Sequence, residues 1–63
     1  MTEHEIAMGL ASQIQCGADA HDVKRGLYQT ALGWGGDIGA RDLHSYANAV
    51  SERIWNRVNN ILL

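Results

Sequence analysis

Apolar positions along this chain repeat every three or four residues, and no segment alternates with period two, so the pattern is helical throughout. Glycine supplies the punctuation, because the sequence has no proline. In the first segment Ile6, Leu10 and Ile14 recur every four residues beside Ala7 and Ala11. Thr2 with Glu5 three positions later makes a capping-box pattern, and Gly17 stands where a helix C′ residue belongs. A helix over about residues 3–16 is expected.

The second segment opens with Asp19 as a cap and Asp22 at N3, where negative charge suits the helix dipole. Val23, Leu27 and Ala31 form its apolar row, and "GWGG" closes it. Gly33 as C′ predicts a helix over about 20–32. Gly9 and Gly26 fall inside these two helices, where each costs about 0.5–1 kcal/mol relative to alanine. A close crossing of the helices at the two glycines would account for them; so would drift in a marginally stable sequence.

The third segment begins near Asp37, the expected cap, and has no stop signal. Leu43, Ala47, Val50, Ile54, Val58 and Ile61 follow helical spacing and fall within an arc of roughly 80° at 100° per residue. Tyr46 flanks the arc on one side; Ser51, Trp55 and Leu62 flank it on the other. A helix over about 38–61 follows. The fold class expected is all-α: a single three-helix domain over 1–63, with a short helical hairpin packed on a longer C-terminal helix.

Lengths then matter. At 1.5 Å per residue the first two helices span roughly 20 Å each and the third roughly 36 Å. A hairpin packed near the start of the third helix leaves its C-terminal end uncovered. There Ile54, Trp55, Val58, Ile61 and Leu62 would form a partner or dimer interface, since each aliphatic side chain left wet forgoes about 1.5–3 kcal/mol. A homodimer through the C-terminal helix is the structural expectation; the alternative is that the two short helices splay along the third and make a compact monomer.

Composition narrows the function classes. A chain of 63 residues has a small core and usually needs reinforcement, and one cysteine, Cys16, excludes an intramolecular disulfide. Seven acids against five bases give a net charge of −2, too balanced for a polybasic nucleic-acid arm. No run reaches membrane-spanning length and the first residues carry acids where a signal peptide is basic, so a cytoplasmic protein without membrane association is expected.

Candidate chemistry is thin. Cys16, His4, His21 and His44 are the soft-metal candidates, and no pair has zinc-site spacing. Ser45 beside His44 on a helix points about 100° away from it, so adjacency there makes no nucleophile–base pair. "GWGGDIG" lacks the lysine and spacing of a phosphate loop; its glycines fit a tight helix corner plugged by the Trp34 indole. No cofactor, metal or catalytic residue is assigned.

Two function classes remain. The first is a small non-enzymatic interaction or inhibitor protein that sterically occupies a partner's surface, a style shared by many phage and mobile-element accessory proteins. Glu3, Glu5, Asp19 and Asp22, with Tyr28, would offer its partner an acidic face. The second is a helix-turn-helix-like DNA-binding regulator. "ALGWGGDIGARDLHSYA" places Arg41, His44 and Ser45 where base-reading residues would sit, although the five bases form no stripe.

Overall fold

The computed structural model describes residues 2–63. It consists of three helices, α1 (Glu3–Gln15), α2 (Ala20–Trp34) and α3 (Ala40–Leu62), with no strand among the described residues. Both shorter helices pack on α3. No described helix is long and apolar enough to cross a membrane.

The helix starts follow their caps. The Thr2 hydroxyl oxygen accepts the Glu5 amide at 3.2 Å, and its hydroxyl proton is donated to the Glu5 carboxylate at the same distance. Asp19 accepts the amides of His21 and Asp22 at 2.9 and 3.2 Å. Gly17, at φ 105°, ends α1 in a Schellman motif: its amide donates to Ile14 and that of Ala18 to Gln13.

The α2–α3 connector departs from expectation. Gly33 does not end the second helix, which runs on to Trp34. Gly36, at φ 44°, supplies the left-handed residue of the turn. The Ile38 amide donates to the Gly35 carbonyl at 2.9 Å, a β-turn that holds Asp37 at an inner position. Asp37 therefore does not cap α3; Gly39 occupies the N-cap without a side-chain hydrogen bond. Gly35 lies against Leu43 so closely that a Cβ would collide with its Cδ1.

Three relationships set the direction of α2. Gly35 abuts Leu43, the Tyr28 phenol meets the His44 ring, and the Lys24 ammonium lies 5.9 Å from the centre of the Trp55 ring. Residue numbers fall on α2 as they rise on α3, so the pair is antiparallel. The short Cys16–Asp19 link turns the chain between α1 and α2. Glu3, at the start of α1, is ion-paired with Arg53. The two short helices are therefore staggered along α3, with α2 against its first two thirds and α1 against its last half.

That stagger overturns the expected overhang. Ala7 and Ala11 of α1 are fully buried, as are Ile54 and Val58 at the end of α3. Leu27, Ala31, Ala47 and Val50 complete the core. The longest dimension of the molecule, 36 Å, matches the roughly 35 Å expected for the 23 residues of α3. Among the described residues nothing extends beyond that helix, and it is covered for most of its length.

Candidate functional site

The apolar rows of α1 divide its work. The alanine row, with short side chains, lets the helix backbone approach α3 and becomes core. The larger row, Ile6, Leu10 and Ile14, is displaced to the edge of that contact and is only half-buried. On α2, Val23 and Leu27 are turned inward and reach the same edge from the other side.

Between these edges α1 and α2 hardly touch one another. They bound an open groove of about 600 Å³, walled by Ile6, Leu10, Val23, Leu27 and Trp34. Asp19 and Asp22 stand at its turn end, and none of its lining residues is a cation. Gly26 lies midway along the α2 wall, where an added Cβ would meet no atom of the chain within 4 Å. A second groove of about 480 Å³ continues around Ile6 and Trp34 to Tyr46, Val50 and the Glu3–Arg53 pair.

Trp34 separates the two grooves. It is 43% exposed, so it does not plug the helix corner as the sequence suggested. Its position follows from the late end of α2: as the last helical residue before Gly35, it is carried past the connector toward Ile6. The glycine crossing is also corrected. Gly9 and Gly26 have open space around them because α1 and α2 do not cross closely.

The expected C-terminal interface is reduced. Ile54 and Val58 are internal and unavailable to a partner. Trp55 and Leu62 are half-buried, and Trp55 lies under Lys24. Ile61 is 36% exposed and Leu63 is fully exposed, leaving a short apolar tip where a longer seam was expected.

The expected acidic face is divided. Glu3 forms a bidentate pair with Arg53, at 2.9 and 2.7 Å, which neutralises it. The hydrogen bond from Arg53 is the main reason the Glu3 carboxyl titrates below its ordinary value; desolvation opposes this, and the charges of Arg53 and Arg57 add to it. Glu5 belongs to the cap of α1. Asp19 and Asp22 sit at the opposite end of that helix, and Tyr28 lies on the other side of α2, in the groove facing α3.

The residues considered for DNA contact are arranged differently from a helix-turn-helix. In that motif the helices cross at about 90–120°. Here α2 and α3 lie alongside each other from Gly35–Leu43 to Lys24–Trp55. His44 shares a 2.7 Å hydrogen bond with Tyr28 and stacks on its ring, while Arg41 and Ser45 are exposed nearby. Cys16 is an exposed free thiol, and no three metal-binding side chains gather among the described residues.

No protein-family model matches this chain, nor does any curated protein or solved structure. The site is therefore read from its own geometry. The α1–α2 groove was not expected from the sequence, where the Ile6–Leu10–Ile14 row and the Ala7–Ala11 row were noted side by side without deciding which of them faces α3. The signal was present: two adjacent apolar rows on one short helix allow two contacts, and the alanine row suits the closer one.

Proposed function

We propose that this chain is a small non-enzymatic interaction protein that acts by contact, covering a partner's surface and thereby blocking it. The observation that carries the reading is the open apolar groove between α1 and α2, with the large and half-exposed Trp34 at one end. Aromatic residues beside apolar pockets are the usual anchors of protein interfaces. The contact surface is thus assigned to α1 and α2 in place of the C-terminal helix, whose Ile54 and Val58 serve the core.

Affinity capture with the tagged chain tests this. The wild-type chain is expected to retain a protein at a fixed stoichiometry, and Trp34→Ala or Leu10→Glu to lose it while remaining helical by circular dichroism. Equal capture by wild type and both variants would remove the groove from the mechanism. Light scattering at micromolar concentration addresses self-association through α3: a dimer lost on Leu62→Glu but kept in Trp34→Ala would return the interface to the C-terminal helix.

A further inference from the structure

The three helices occupy three corners of a four-helix bundle. In a closed triangular bundle each helix packs on both others; here α3 packs on both neighbours while α1 and α2 stay apart. In a square bundle, helices that share a neighbour but not a contact are diagonal partners. The vacant corner opposite α3 is the groove lined by Ile6, Leu10, Val23 and Leu27.

Three features of this corner specify an occupant. The groove runs from Asp19 to Trp34, the length of the 15-residue α2 or roughly 22 Å, which suits a helix of about four turns. One end carries two carboxylates without a lining cation. Asp19 is engaged in capping, but the Asp22 side chain has no hydrogen bond or ion pair among the described residues. Midway, Gly26 presents bare backbone in a position where no contact within the chain explains the missing side chain. A glycine there permits close approach of another element.

We infer that the groove takes one amphipathic α-helix of a protein partner, apolar on the face turned to α3 and bearing Lys or Arg at the end that meets Asp19 and Asp22. The inference rests on the contact reading above and deepens it by naming the partner's chemistry. Charge complementarity selects this occupant over a second copy of the chain. Two copies placed groove to groove would set the carboxylates of one against either the carboxylates or the Trp34 end of the other, with no groove-lining cation to meet them in either orientation, and the exposed polar side of α3, with Asn48, Glu52, Asn56 and Asn60, is too polar to fill the corner. Helix-in-groove docking with regularly spaced apolar anchors is an established recognition mode.

The test is a nuclear magnetic resonance titration of the full chain with two synthetic amphipathic helices of about 15 residues. Both share one leucine stripe; one carries two lysines near its C-terminus and the other two glutamates there. The lysine peptide is expected to bind about tenfold more tightly at about 50 mM salt, with the gap narrowing as salt rises. Its shifts should centre on Gly26, Asp22 and the Trp34 indole. Gly26→Leu should abolish binding while keeping the helical spectrum, and Gly9→Ala, off the groove, should leave it unchanged. Equal affinity for both peptides, or shifts on the outer face of α3, would overturn the inference. Failure of both peptides, with Trp34-dependent capture of a protein retained, would overturn it and leave the contact reading standing; loss of both results would end both.

Discussion

The carboxylate of Glu3 accepts the Nε–H of Arg53 at 2.9 Å and an Nη2–H at 2.7 Å, joining residues fifty positions apart in sequence. This pair fixes the start of α1 to α3 and is the electrostatic part of the stagger that covers the chain's C-terminal half. Because the folded-state pKa of Glu3 lies below its ordinary value of 4.5, its contribution is present above that pH and is lost as pH falls through the folded value. Denaturation midpoints compared at neutral pH and near pH 3 should fall further for the wild type than for Glu3→Gln. The side chains are largely solvent-exposed, so the difference is expected to be small and reduced by salt.

Burial of the α3 stripe can be ranked by substitution. Ile54→Ala removes a fully buried side chain and should cost about 2–5 kcal/mol, enough to threaten folding at this chain length. Leu63→Ser, at the fully exposed end, should change stability by less than about 0.5 kcal/mol. Urea denaturation followed by circular dichroism measures both; comparable effects would contradict the placement of α1.

The connector depends on the approach of Gly35 to Leu43. Gly35→Ala should destabilise by about 1–3 kcal/mol, because the new methyl group displaces the Leu43 side chain. In a Leu43→Ala background most of that penalty should vanish, giving a coupling energy above about 0.5 kcal/mol in a double-mutant cycle. Purely additive effects would place the cost elsewhere in the turn.

Gly9 and Gly26 have open surroundings and ordinary helical backbone. Gly9→Ala and Gly26→Ala should each stabilise the free chain by about 0.5–1 kcal/mol, measured by thermal or urea unfolding. Destabilisation by either would indicate a neighbour that the present arrangement lacks.

Much of the helical framework was legible because its signals are local. The Thr2–Glu5 cap, the Asp19 cap, the Gly17 stop and the stripe through Ala47, Val50, Ile54 and Val58 all act within a few residues of themselves. The connector was less legible: four glycines between residues 33 and 39 can each end a helix, and the packing of Leu43 on Gly35 decides among them. The groove was hidden for a similar reason. Whether α1 seats its alanine row or its isoleucine–leucine row on α3 depends on how closely two helices approach, a long-range quantity with no counterpart in spacing.

Reliance on α3 as the common support has a consequence for how the chain opens. The tertiary hold on α1 comes almost entirely from α3, through two alanines, a fringe of half-buried aliphatic groups and one surface ion pair. α2 has the larger buried side chains Val23 and Leu27 and a five-residue connection to its support. The two helices therefore belong to cooperative units of unequal depth, and α1 is the shallower. Native-state hydrogen exchange should find its amides released before those of α2 and the middle of α3. Each such release bares Ile54 and Val58 for the lifetime of the opening, so the aggregation tendency of this protein is governed by how rarely its first helix lets go.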